Sequence, residues 1–218
     1  MTIVTFTTLY IVMMNLFLAM TLMKLLFFVS HDQSNQIKAI AVLLTWFVLE
    51  SLLIYMQVLP VDMSSMILFS IILIAVILAG VILSPLFQAL LNMPQEFLLL
   101  PQAFRMFFGA GFIIEAAFGI IPLEYGVLDG VLHITTAFLA TTLAIIIAHG
   151  VRAKRTLIAV NFFGLLDIVV VAYGIAFFIL DDIGTEHNVF YAVFFAAPIF
   201  IWLHLISLFK VYKEGKVS

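Results

Sequence analysis

Seven stretches of about twenty or more mostly apolar residues follow one another along this chain, and a membrane-crossing helix needs ~20 such residues. They run approximately over 3–29, 39–59, 65–90, 97–121, 127–149, 157–180 and 188–211, with short polar or Pro/Gly-bearing connectors between them. In lipid every backbone amide must be satisfied within its own segment, so such runs fold as helices. Short connectors make consecutive helices antiparallel neighbours. The composition agrees: 66% of the 218 residues are apolar and 10% charged, against ~45–50% and ~25% in a soluble domain. An ordinary cytosolic enzyme, a disordered tail and a disulfide-stapled secreted module are excluded. The expected fold is an all-α, seven-helix integral membrane bundle, one domain over residues 1–218. The first ten residues hold no Lys or Arg, and the apolar run passes residue 20 without a small-residue cleavage site. It therefore reads as a first span, not a cleaved leader.

Basic residues orient such a bundle. Lys24 and Lys38 bracket the first connector, Arg152, Lys154 and Arg155 fill the fifth, and Lys210, Lys213 and Lys216 mark the C-terminal end. The second, fourth and sixth connectors have no Lys or Arg and carry Asp62, Glu124, Asp181, Asp182 and Glu186. With seven spans this places the N-terminus outside and the C-terminus in the cytoplasm. A net charge of −3 leaves no basic footprint for nucleic acid. With no Cys, thiolate zinc, iron–sulfur, c-type haem and thiol redox chemistry are all removed.

The costly residues are those ionisable at mid-membrane, at ~2.5–3.5 kcal/mol each on insertion scales. Arg105 lies ~10–12 Å in from the cytoplasmic edge at 1.5 Å of rise per residue. Its counter-charge is either Asp167 in span six or Glu50 in span two. Gln102, Arg105 and Gly109 share a helix face by their spacing, Asn161, Gly164 and Asp167 cover a face of span six, and His204 falls near the level of Arg105. The expectation is an inner polar cluster of Arg105, Asp167, Asn161, His204, Gln102 and Glu50 that binds a ligand or exchanges a proton between Asp167 and His204. The same residues also read as an ion pair and hydrogen-bond glue that fix helix register.

A second cluster is expected nearer the outside. Asp129 and His133 stand at i and i+4, Thr136 continues the stripe, and Glu115 and His187 come to similar depth. Carboxylates and imidazoles are ligands for a divalent metal. The alternative is an N-terminal carboxylate beside a satisfied His. A b-type haem needs two His at matched depth, and His149 and His204 come nearest, ~9 Å apart in level. Span seven holds no retinal-type Lys in its interior and lacks the His-x3-His of progestin and adipoQ receptors. Gly109, Gly111, Gly119, Gly164 and Gly174 are expected to let helices approach closely. Pro85 and Pro198 are expected to kink their spans, Pro198 freeing a carbonyl toward the cavity of His204. Spans one to three read mostly as scaffold.

Pro94-Gln95 and Pro101-Gln102 resemble the proline–glutamine motif of PQ-loop sugar transporters, although both copies here crowd the start of span four. A longer string carries a closer likeness: Gln102-x2-Arg105-x3-Gly109, Gly126-x2-Asp129-Gly130, Asn161-x2-Gly164-x2-Asp167 and His204-x2-Ser207-Leu208. It resembles a group of uncharacterised bacterial polytopic membrane proteins over roughly the second half of the chain. That resemblance implies a bacterial inner-membrane setting and transfers no catalytic role. The leading expectation is a membrane protein that binds or transports a small molecule or proton. The alternatives are a metal- or haem-dependent redox enzyme and a non-catalytic subunit of a membrane complex or oligomer.

Overall fold

The computed structural model describes residues 2–29, 32–59, 62–83, 85–183 and 187–214. Among them the chain is all-helical, with no strand. The helices are α1 (Ile3–Val29), α2 (Gln33–Tyr55), α3 (Met63–Ile82), α4 (Pro85–Asn92), α5 (Gln95–Leu99), α6 (Arg105–Ala117), α7 (Leu123–Ala148), α8 (Lys154–Gly174), α9 (Leu180–Ile183), α10 (Val189–Tyr191) and α11 (Ala197–Glu214). A 3₁₀ turn over Leu100–Phe104 joins α5 to α6, and π turns over Ile175–Ile179 and Ala192–Ala196 lead into α9 and α11.

Six helical segments are long and apolar enough to cross a membrane: Ile3–Phe28, Gln36–Tyr55, Gln95–Ala117, Leu123–Ala148, Lys154–Ile179 and Val189–Lys213. The expected continuous span over 65–90 is instead two helices. Proline has no N–H and disfavours helix in the residue before it, so α3 stops at Ile82 and α4 starts afresh at Pro85.

Helix ends follow local chemistry. Asp32 accepts from the Ser34 amide at 2.9 Å, and Asp62 from the Ser65 amide at 2.9 Å, satisfying first-turn N–H groups of α2 and α3. The Ser65 amide holds the exposed Asp62 carboxyl below the usual carboxylate range. At the other ends, Gly119 (φ 67°) and Gly150 (φ 83°) close α6 and α7. Each sits in the left-handed region, with the following amide reaching back five residues, Ile120 to Glu115 and Val151 to Ile146. Gly119 is thus a helix stop. A Cβ there would meet nothing within 4 Å, so its expected packing role does not hold.

The packing glycines lie elsewhere. A Cβ on Gly109 would stand 2.6 Å from the Gly130 carbonyl oxygen, and one on Gly130 2.8 Å from that of Gly109. The backbones of α6 and α7 therefore touch, which brings Arg105 and His133 within reach of each other. Outside this core the bundle turns apolar side chains outward: Phe28, Phe178, Phe162 and Val169 are all exposed. Inside are the charges, with Arg105, Glu115 and Asp129 at 0% exposure and Asp167 at 1%. A charged interior beneath a greasy surface is the arrangement of a multi-pass membrane protein.

Candidate functional site

The polar centre is built on four helices. α6 begins at Arg105, which points into the bundle and meets α8 and α11. Its Nη2 donates to Asp167 Oδ2 at 2.6 Å, and its Nη1 to the Gly164 carbonyl oxygen at 3.1 Å. Its guanidinium carbon lies 5.4 Å from the centre of the Phe200 ring, which covers its face. Of the two expected counter-charges, Asp167 is the one used. It also accepts from Thr136 Oγ1 at 2.6 Å, and its Oδ1 lies 2.9 Å from His133 Nδ1. Three donors converge on this carboxylate, one from α6 and two from α7, which is the environment of an ionised Asp.

Proton positions follow from exclusion. Asp167 Oδ1 can only accept, so His133 Nδ1 carries a hydrogen and donates it. Arg105 Nη2, 3.4 Å from the same nitrogen, then makes a close approach there and no hydrogen bond. On the other side, Asn161 Nδ2 donates to the Leu157 carbonyl oxygen and to Ser207 Oγ, so Asn161 Oδ1 is an acceptor. His204 Nδ1, 2.9 Å away, must donate to it. His204 Nε2 is then free of hydrogen and accepts from Arg105 Nη1 at 3.4 Å. Ser207 Oγ donates onward to Gln95 Oε1 at 2.9 Å.

The result is one connected set of groups from the half-buried Gln95 to His133, with Arg105 in its middle. A guanidinium keeps its proton in proteins, so Arg105 divides the set in two. His204 and Asn161 orient the cation from one side. Asp167, Thr136 and His133 hold it from the other. The expected proton exchange between Asp167 and His204 is thus interrupted by the group that binds both.

Asp129 differs from Asp167. It lies 3.5 Å from His133 Nδ1 with the Tyr125 hydroxyl beside it, yet its two buried oxygens have no well-formed hydrogen bond among the described residues. Asp129 and His133, read from sequence as an outer pair, thus belong to the Arg105 centre. Their expected companions stay apart in a second group. Glu115 accepts from Asn188 Nδ2, which also reaches Thr7 Oγ1 at 2.9 Å. His187 Nδ1 accepts the Val189 amide, so its proton sits on Nε2, 3.9 Å from Glu115 Oε2. Among the described residues no three His, Asp or Glu side chains come together as a metal site. The four expected metal ligands are divided between two places.

Other expectations resolve similarly. Gln102 is buried and donates to the Phe200 carbonyl oxygen at 3.4 Å, beside the centre. Glu50 is buried on α2 outside the centre, neither oxygen hydrogen-bonded among the described residues. His149 is exposed and donates to the Ile145 carbonyl oxygen, while both ring nitrogens of His204 are engaged, so this pair offers a haem iron no open ligand set. Pro198 cannot donate to the carbonyl four residues before it, and that Phe194 oxygen accepts from Trp46 Nε1 of α2 at 3.0 Å. The freed carbonyl thus fastens α2, away from His204. Glu186 and Lys216 lie outside the described residues, as do the side chains of Asp181 and Asp182.

Sequence reasoning missed Thr7 and Asn15 on α1, Asn188, and Tyr125. Asn15 donates to the Tyr191 carbonyl oxygen at 2.7 Å beside the second π turn, and Tyr125 Oη to that of Val171 at 3.2 Å. Asn15 carried a signal, as a strongly polar amide inside a long apolar run.

Residues 63–212 match the family described as Domain of unknown function (DUF8737). No curated protein and no solved structure matches the chain.

Proposed function

We propose, from the premise that the chain belongs to the DUF8737 family, that this protein is a bundle whose Arg105–Asp167–His133–Asp129 centre binds a small molecule and exchanges a proton with it. The reading includes seven crossings, with α3 as the third, the N-terminus outside and the C-terminus in the cytoplasm of a bacterial inner membrane. α3 supports this, being 20 residues long and highly apolar. Arg152, Lys154 and Arg155 at the start of α8 supply the basic side.

One observation carries the proposal. His133 holds Asp167 with Nδ1, stands beside a second buried carboxylate, Asp129, and has its ring in the wall of a cavity. Uncompensated charge is expensive in a medium this dry. Arg105 and Asp167 neutralise each other. The remaining pair is then neutral when His133 and Asp129 hold one proton between them. A proton taken at His133 Nε2 is balanced by an ionised Asp129, without disturbing the Arg105 pair. Glue alone requires neither the second carboxylate nor the cavity.

The test is a ¹⁵N-histidine NMR comparison of wild type and Asp129→Asn in detergent at one pH. Asp129→Asn should shift the His133 Nε2 resonance, because the carboxylate that balances a proton there is gone, and should leave the His204 resonances in place. Identical His133 spectra in the two proteins would overturn the reading.

A further inference from the structure

Between α3, the C-terminal part of α8 and the π turn before α11 lies a cavity of about 300 Å³. Its inner wall is formed by Phe108, Phe112, Phe200 and His133. Its rim includes Ile71, Tyr173 and Phe177, all exposed on the outer surface of the bundle. In a bilayer that surface faces acyl chains, so the opening admits molecules already dissolved in the membrane. The polar side chains of the lining are Ser70, Tyr173 and His133. Ser70 donates to the Met66 carbonyl oxygen at 2.8 Å, and Tyr173 stands at the rim. His133 is the polar group of the inner wall.

What His133 presents is fixed by what holds it. Nδ1 gives its hydrogen to Asp167, so Nε2 offers a lone pair and no hydrogen. Such an atom recognises an O–H and has nothing to give a carbonyl or ester. Among the described residues no Lys or Arg lines the cavity, and Arg105 lies behind it with both terminal nitrogens engaged. Phosphorylated or carboxylated head groups therefore meet no guanidinium or ammonium there. We propose that this cavity takes a lipid-soluble molecule bearing a hydroxyl on an apolar body, entering sideways from the bilayer and donating its O–H to His133 Nε2. This deepens the preceding reading, on which it rests for His133 as the open member of the polar centre.

Farnesol and its methyl ether make the test, because they share the apolar body and differ in the donated hydrogen. Each is titrated against the full-length protein in detergent micelles, with binding read by native mass spectrometry. Wild type should prefer farnesol by about tenfold, the size of one hydrogen bond to a buried acceptor. His133→Phe should bind both compounds alike. Farnesol should also shift the His133 Nε2 ¹⁵N resonance of wild type, a readout independent of whether the variant folds. Equal affinity of wild type for alcohol and ether, a preference that survives in His133→Phe, or an unmoved Nε2 signal would overturn the proposal. The two readings fail separately. Loss of the hydroxyl preference with the Asp129→Asn effect on the His133 resonance intact removes only this ligand class, whereas loss of that effect with the preference intact removes only the proton exchange.

Discussion

Asp167→Ala should destabilise the bundle by about 3–5 kcal/mol, because it strands a fully buried guanidinium without its carboxylate. The loss is compounded locally, since Thr136 and His133 lose the same acceptor. The measurement is reversible unfolding in mixed micelles, comparing wild type and variant in one detergent ratio series. A companion variant separates stability from function. Arg105→Met combined with Asp167→Leu removes both charges, and replacing a buried ion pair by apolar groups is often close to neutral. That double variant should recover most of the lost stability and change the His133 Nδ1 ¹⁵N resonance, whose acceptor is gone. Stability as low as that of Asp167→Ala would show that the stranded guanidinium is not the source of the loss.

The second large effect is expected at Gly164. A Cβ built there would stand 2.3 Å from His204 Nε2 and 2.4 Å from His204 Cε1, closer than unbonded atoms can approach. Gly164→Ala must therefore push the His204 ring away from Arg105 Nη1. Overpacking of this kind costs about 1–3 kcal/mol, against a gain of ~1 kcal/mol in intrinsic helix propensity. We expect net destabilisation by about 1–2 kcal/mol together with a changed His204 ¹⁵N signal. Gly80 on α3 is the matched control: a Cβ there meets nothing within 4 Å, so Gly80→Ala should be neutral or slightly stabilising. Equal effects at the two glycines would show that the contact between Gly164 and His204 carries no energy.

Much of this centre is legible in the sequence because lipid makes polar residues conspicuous. Arg105, Asp167, Asn161 and His204 stand out by cost alone, and helical spacing puts Asn161, Gly164 and Asp167 on adjoining faces. His133 lies deeper than its apolar run implies, for a geometric reason. The run reads as beginning near residue 127, whereas α7 starts at Leu123, directly after Pro122. His133 is therefore ten residues into its helix and not six, or about 15 Å of rise in place of about 9 Å. That moves it from the outer third to mid-depth, where it meets Asp167.

Glu50, on α2, makes no hydrogen bond to the Arg105 centre among the described residues, because depth in a span says nothing of azimuth. The role of α3 was missed for a different reason. Its Met66, Ser70 and Ile74 are ordinary lipid-span residues, and only their position across from α8 makes them cavity wall. The break at Pro85 was legible as a proline, but a kink and a full stop look alike until the chain direction on either side is known.

The central claim is that the charges of this chain face one another across the bundle interior. Solid-state NMR in lipid bilayers, with ¹⁵N-labelled arginine and ¹³C-labelled aspartate, reads that directly through the distance from a guanidinium nitrogen to a carboxylate carbon. The account predicts a short-range cross-peak between Arg105 and Asp167 that vanishes in Asp167→Asn. A correlation from Arg105 to lipid phosphate, with none to Asp167, would contradict it.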